Sequence, residues 1–235
     1  YGEGEILIYG EPWAADVTAM EDGAAPALKS NIQLLDKNVG MFCDDTRDAI
    51  KGHVFEAETP GFVNGAEGME DKILDSVTAW CGNEKTISDE KQREKVNRLA
   101  AAIYMTCQGN LFFLSGEEFA RTKDGYENTY NAPIELNRLD WERAYEYQEL
   151  RQYYQGLIAL RKQLPGLCDK SEEARKRISG QWKEDGAVGF LVDNRDEAKT
   201  SPWKKLLIIY NRTEKTVTRE LPEGNWEILL NGENS

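Results

Sequence analysis

The sequence predicts an α/β fold followed by an antiparallel β domain, and three observations carry that reading. Short apolar runs at Ile6–Tyr9, Val39–Phe42 and Leu111–Leu114 are each soon followed by polar or acidic residues. That is the pattern of strands buried on both faces of a parallel sheet whose carboxyl ends carry function. A helical period precedes the third run, with Val96, Leu99, Ala100, Ile103 and Cys107 on one face. Beyond Leu164-Pro165-Gly166 the apolar period shortens to that of strands.

Each element is set by its residues. Ile6–Tyr9 is ended by Gly10, with Glu11, Pro12 and Trp13 just beyond it. Ser88 caps the first long helix, Asp89 and Glu90 suit its electropositive first turn, and Gly109 stops it. From Trp141 a second helix presents Leu150, Tyr154, Leu157 and Ile158, and ends before Leu164-Pro165-Gly166, where proline and glycine oppose continuation. The expected domain boundary lies there, with residues 1–165 before it and residues 166–235 after it. In the second part strands are expected near Ile178–Trp182, Val188–Val192, Leu206–Tyr210, Thr216–Leu221 and Trp226–Leu230. Asp185-Gly186, Glu223-Gly224 and Asn231-Gly232 supply turns between or after them. The last of these turns sits so near the end that the domain is expected to stop short. The opening Tyr1-Gly2-Glu3-Gly4-Glu5 is acidic and runs directly into a strand-like segment, which reads as an interior cut rather than a leader.

Composition excludes several classes of function. With 235 residues, 40% of them apolar and 30% charged, the chain is expected to be a soluble globular protein with a sizeable core. Its 42 acidic residues against 29 basic ones give a net charge of −13, which repels phosphate backbones and anionic lipid surfaces. No nucleic-acid or membrane partner is expected. The longest apolar run, Leu99–Met105, is far below the roughly 20 residues that cross a bilayer. Cys43, Cys81, Cys107 and Cys168 lie far apart, with no Cys-x-x-Cys and no histidine at ligand spacing. A zinc site is therefore not expected and no bridge is required, which fits a reducing, cytoplasmic setting. Any mechanism needing a histidine base would have to use His53, the single histidine. No nucleophile is paired with it in a recognisable pattern, so it reads as a surface or hydrogen-bonded structural residue.

Glu11 is the candidate for chemistry. It stands at a strand's carboxyl end, the glycine before it allows close approach, the proline after it fixes the backbone, and Trp13 offers a flat apolar face for a sugar ring. An apolar wall raises a carboxyl pKa toward the range a general acid needs. By itself Gly-Glu-Pro-Trp also fits an ordinary loop turn. Asp44, Asp45 and Asp48, with Arg47 and Lys51 nearby, read as ion pairs and caps rather than a cation site. Glu117 and Glu118 are adjacent, so on a strand at most one faces a site. Tyr145, Tyr147, Tyr153 and Tyr154 read as helix packing rather than a sugar platform, and Trp203 and Trp226 as core or interface residues. Asn211-Arg212-Thr213 fits a glycosylation acceptor, a pattern common by chance.

Several motifs taken together resemble the type I pullulanases, debranching glycoside hydrolases of the alpha-amylase superfamily. Ile6-Leu7-Ile8-Tyr9-Gly10-Glu11-Pro12-Trp13 is similar to that family's segment around the fifth barrel strand. Phe42-Cys43-Asp44-Asp45-Thr46-Arg47-Asp48-Ala49-Ile50-Lys51-Gly52 resembles the segment after the sixth, with Cys43 where asparagine is usual. Pro60-Gly61-Phe62-Val63-Asn64-Gly65 matches the family's next segment. Gln108-Gly109, Gly116-Glu117-Glu118-Phe119 and Arg121-Thr122-Lys123 resemble the eighth-strand region. Asn128-Thr129-Tyr130-Asn131-Ala132-Pro133 and Asn137-Arg138-Leu139-Asp140-Trp141 resemble the loop beyond it.

The resemblance implies the C-terminal half of a TIM-type barrel, strands five, six and eight, over residues 1–165, followed by an antiparallel β-sandwich domain over 166–235. It implies hydrolysis of alpha-1,6 glucosidic bonds in branched alpha-glucans such as pullulan, glycogen or starch-derived dextrins. The reaction would be a retaining double displacement, with two carboxyl groups about 5–5.5 Å apart. Glu11 would be the proton donor, Trp13 and Tyr130 would stack on glucose faces, and Asn131 would bond a hydroxyl. No cofactor is implied beyond a possible calcium ion. The family's nucleophilic aspartate belongs to strand four, and its His-Asp-Asn motif to strand seven. Neither is found, since His53 is followed by Val54 and the sequence jumps around Asn83. The set of barrel strands is thus incomplete, the missing N-terminal half of the barrel is an expected partner, and the chain alone is expected to be catalytically silent. Two other readings stay open: a non-catalytic glucan-binding or structural remnant, and a superfamily enzyme of other bond specificity.

Overall fold

The computed structural model describes residues 6–14, 16–17, 19–36, 38–56, 58–76, 90–126, 128–171 and 173–234. The chain divides into two compact units, Tyr1–Cys43 and Asp44–Ser235.

In the first unit, β1 (Ile8–Gly10) and β2 (Val39–Met41) run parallel, with Ile8 opposite Val39 and Gly10 opposite Met41. Parallel neighbours need a long crossover, and the one here contains a 3-10 turn at Lys29–Leu34. Both expected strands thus form, and side by side. Their burial differs from expectation: Ile6, Leu7, Ile8 and Tyr9 are all more than half exposed. Within the first unit the described residues form no α-helix to cover these strands, and their apolar side chains stay open.

The second unit opens with α1 (Asp44–Lys51), whose first turn carries Asp44 and Asp45 and whose last carries Lys51, matching the helix dipole. Gly52 then takes φ 107° and forms a bridge with Pro60. A Cβ on Gly52 would lie 2.0 Å from the Thr59 carbonyl oxygen, and one on Gly61 only 2.4 Å from the Gly52 nitrogen. Asn64 Nδ2 donates to the Lys51 carbonyl at 2.7 Å. The glycines of two sequence motifs therefore stand where two backbones touch. Next in the chain is α2 (Glu70–Ser76).

α3 (Glu90–Met105) buries Ala101, Ile103 and Tyr104. Its expected start at Ser88 and Asp89 lies outside the described residues, as do Cys81 and the jump near Asn83. Arg161 serves its far end: Nη1 donates to the carbonyls of Met105 and Cys107 at 2.8 and 2.7 Å, and Nη2 to those of Gly109 and Leu167 at 2.8 and 3.1 Å. A guanidinium placed on orphan carbonyls satisfies them and complements the negative helix end.

Leu111–Leu114 does not form the expected strand. Leu111 and Phe113 pack on the core while Phe112 and Leu114 face out, so the two-residue alternation is present. Among the described residues this run joins no sheet, and alternation without ladder hydrogen bonds makes an extended segment, not a strand. Beyond it come α4 (Ile134–Asn137), α5 (Arg143–Glu146) and α6 (Gln148–Arg161). The helix expected from Trp141 is thus broken at Tyr147, which has φ −100° and ψ 41°. Leu150, Tyr154 and Leu157 are buried as expected, whereas Ile158 is 37% exposed, one position round from the buried stripe. Pro165 does not end helical structure either: it starts the short α7 (Pro165–Cys168), where its missing N–H is not needed.

The sheet of the second unit has three antiparallel strands in the order β3 (Ile178–Glu184), β4 (Ala187–Asp193) and β5 (Lys205–Asn211). Gly186, φ 71°, completes the β3–β4 hairpin. Central β4 is almost wholly buried, which its unbroken apolar run requires. The Trp182 indole covers Gly189 so closely that a Cβ there would meet the ring at 2.5 Å. The strands expected at Thr216–Leu221 and Trp226–Leu230 are not formed. Arg219 instead stacks over Trp182 at 4.0 Å and pairs with Glu184, and Trp203 Nε1 donates to Glu227 at 2.9 Å. Side-chain contacts hold these segments without a ladder.

One core joins the helices to the sheet, with Ile50, Phe62, Tyr104, Leu150 and Leu157 in the same cluster as Val188, Phe190 and Tyr210. Among the described residues no helix is long and apolar enough to cross a membrane.

Candidate functional site

In the first unit the parallel register fixes the local geometry. Gly10 lies opposite Met41, and Phe42 N–H donates to the Gly10 carbonyl at 3.2 Å. Glu11 therefore leaves β1 at the carboxyl edge, beside Phe42, whose ring meets that of Tyr9 edge-on at 5.5 Å. Carboxyl ends of parallel strands are where such sheets hold their ligands. Pro12 is buried, and its carbonyl accepts from Lys29 N–H at 3.0 Å. The turn is thereby fixed while Glu11 stays exposed and Trp13 is 45% exposed.

Tyr130 and Asn131 belong to the second unit. Ala132 N–H donates to the Thr129 carbonyl at 3.1 Å, which makes Tyr130 and Asn131 the two corner residues of a β-turn. Tyr130 is 85% exposed. The residues that hold this turn are not among those the sequence singles out. Asn137 Nδ2 donates to the carbonyls of Thr129 and Ala132, at 2.8 and 3.2 Å. Its Oδ1 accepts from Lys123 Nζ at 2.5 Å, and Lys123 also donates to Thr129 Oγ1 at 3.1 Å. Desolvation, then the neighbouring Arg121 charge, lowers the Lys123 pKa from its ordinary value. A signal was present: Lys123 and Asn137 both fall inside the family-like segments.

The loop is rooted in the core. Glu117 and Glu118 lie in a 3-10 turn, Glu117–Phe119, not on a strand, so the expectation that they face opposite sides does not hold. Glu118 accepts from Gly116 N–H at 2.9 Å, while the buried Tyr154 hydroxyl lies 3.0 Å from Glu117 Oε1 and 2.7 Å from Asn97 Oδ1. Burial, then the Glu117 charge, raises the Tyr154 pKa well above its ordinary value, so the phenol keeps its proton. Arg143 donates from Nε and Nη2 to the Ala120 carbonyl at 3.0 and 2.7 Å.

The other candidates serve the fold. Arg47 pairs with Asp48 at 2.7 Å. His53 Nδ1 accepts from Phe55 N–H at 3.3 Å. Asn211 Oδ1 accepts from Thr213 N–H at 2.9 Å, tying down its own turn. Tyr153 and Tyr154 pack in the core, but Tyr145 is exposed and does not. Among the described residues there is no cluster of three or more His, Cys, Asp or Glu that could hold a metal. A broad groove of about 2200 Å³ opens between β5 and the C-terminal segment, lined by Tyr153, Trp203, Leu206, Trp226 and Leu229. It does not include Tyr130 or Asn131.

A parallel strand pair with an acid at its carboxyl edge, and an antiparallel sheet sharing its core with helices, define an α/β chain with a β region. Comparison with known proteins finds likeness to pullulanases. Residues 183–234 match the family described as pullulanase, all-beta domain. The pullulanase of Bacillus subtilis strain 168 is 28% identical over 250 aligned positions, covering 92% of this chain and 34% of that protein. The crystal structure of apo pullulanase from Paenibacillus barengoltzii superposes with a TM-score of 0.84 at 32% identity, over 97% of this chain and 39% of that one. The same enzyme in complex with maltohexaose and alpha-cyclodextrin gives 0.79 at 33% identity, over 92% and 38%. The resemblance read from the motifs is thus a resemblance in sequence and fold alike. The chain spans a little over a third of the length of these relatives.

Proposed function

We propose that this chain is part of a retaining glycoside hydrolase that cleaves alpha-1,6 bonds in branched alpha-glucans, with Glu11 as the proton donor. In this reading residues 1–165 supply the C-terminal half of a TIM-type barrel and residues 166–235 the β domain. The observation that carries it is Glu11 at the carboxyl edge of a parallel strand pair, in a chain whose likeness to a pullulanase reaches 0.84 in TM-score. Trp13 and Tyr130 each stack on a glucose face, and Asn131 bonds a sugar hydroxyl. Their exposure supports those roles, since a flat aromatic face open to solvent is what a saccharide ring covers. The double displacement itself needs only carboxyl groups and water. The attacking aspartate, on the fourth barrel strand of the family this chain resembles, is supplied by the rest of the barrel.

The test is reducing-sugar release from pullulan by a polypeptide carrying this chain together with the first four barrel strands. Glu11→Gln is expected to lower kcat by about 10²–10⁴-fold, the usual worth of a positioned acid. A variant that keeps its rate removes Glu11 from the mechanism.

A further inference from the structure

We propose that Asn137, braced by Lys123 and Arg121, is a positioning residue that holds the Tyr130-Asn131 corner as a preset platform for an alpha-glucan. The inference rests on the reading that Tyr130 and Asn131 touch the sugar, and it adds what makes them effective. Asn137 spends both amide hydrogens on one turn, one at each end: Thr129 O at 2.8 Å and Ala132 O at 3.2 Å. The two residues between those anchors are Tyr130 and Asn131. Its remaining oxygen is taken by Lys123 Nζ, which also reaches Thr129 Oγ1. Arg121 Nη2 donates to the Asn137 carbonyl, Arg121 Nη1 donates to Ser115 O at 3.0 Å, and Arg121 N–H donates to Gly116 O at 2.9 Å. The clamp is thereby tied to the turn that Tyr154 and Glu118 secure. A side chain with one acceptor and two donors is needed: aspartate has the size but no donors, and alanine has neither.

The arrangement has a consequence for binding. A tyrosine has two side-chain torsions, and its backbone here is already fixed, so little freedom is left to lose when a sugar stacks on it. If the clamp loosens, that ordering cost falls on the binding step.

Hydrogen exchange and calorimetry on the chain, with maltotriose as the probe, test the proposal. Asn137→Asp keeps the size and the contact with Lys123 while removing both donors. It is expected to speed amide exchange at Ala132 about tenfold or more, and to weaken maltotriose binding about tenfold. On a Tyr130→Ala background the same change should weaken binding no further, because Asn137 acts through Tyr130. Lys123→Met should shift both readouts in the same direction by less. Unchanged exchange at Ala132 in Asn137→Asp overturns the clamp whatever maltotriose does. If Tyr130→Ala weakens binding and Asn137→Asp does not, the positioning role is wrong while the glucan reading stands. If binding is absent in the wild type or indifferent to Tyr130→Ala, the glucan reading itself fails and takes the positioning role with it.

Discussion

Tyr154→Phe isolates a single hydroxyl at the root of the candidate sugar loop. The ring stays, with its neighbours Phe113 at 6.0 Å and Tyr104 at 6.5 Å between centroids. What goes is a donor to Asn97 Oδ1 at 2.7 Å and Glu117 Oε1 at 3.0 Å, in a cluster that also holds the Tyr104 hydroxyl. A buried hydrogen bond contributes about 1 kcal/mol net, and a partner left short of a donor costs about 1 kcal/mol more, with a carboxylate toward the upper end. The expected destabilisation is therefore about 2 kcal/mol. For a chain of this length that lowers the melting temperature by about 4–8 °C. Urea denaturation at pH 7 reads it directly, with an unchanged slope showing that compactness is not altered. A loss below about 0.5 kcal/mol would mean that the hydroxyl does not hold the Glu117 turn, and that the loop is anchored through Arg143 and Ala120 instead.

Gly61→Ala places a methyl 2.4 Å from the Gly52 nitrogen and 2.5 Å from Lys51 backbone atoms. Backbone cannot swing aside as a side chain can, so a loss of about 2–3 kcal/mol is expected in the same denaturation assay, and a neutral result would mean that the two segments do not touch. Asp193 is held at a pKa of about 2, first by its hydrogen bonds from Arg195. A carboxyl depressed by folding stabilises the fold above its ordinary pKa and loses that contribution as pH falls toward the folded value. Because Arg195 is largely exposed, solvent screening reduces the contribution to about 1 kcal/mol. Asp193→Asn should thus cost about 1 kcal/mol at pH 7 and flatten the pH dependence of stability between about pH 4 and pH 2. An unchanged acid limb would remove the ion pair from the stability of the β4 end.

Legibility in the sequence tracked the range of the forces involved. Elements set by local period were read correctly: β1, β2, α3, and the three strands around Val188, Leu206 and Ile178. Two runs with strand character in the sequence form no strand. Leu111–Leu114 has strand alternation but joins no sheet, and Thr216–Leu221 has strand composition but is held by Arg219 on Trp182. The break at Tyr147 was not legible because nothing in the sequence there is a helix breaker. Among the candidate residues, Glu11 and Tyr130 stand out in the sequence as chemically distinctive types in a family-like setting. Asn137 lies in a family-like segment, but its role is two hydrogen bonds to carbonyls five and eight residues earlier, a contact that only the folded loop displays.

The family-like motifs divide physically into two kinds of residue, and the division bears on function. Gly52, Gly61, Asn64, Arg121 and Asn137 are spent on backbone: a close approach, a carbonyl, a turn. None of them touches the sugar in the proposed reading; they act on backbone. Tyr130 and Trp13 are the opposite case, large aromatic residues whose open faces add little to the core. A tyrosine 85% exposed at the corner of a turn, with that turn pinned at both ends by one amide, is costly to arrange and gives the fold almost nothing in return. Under the proposed function the pinning gains a purpose, because preset geometry is what lets a single stacked ring contribute to affinity.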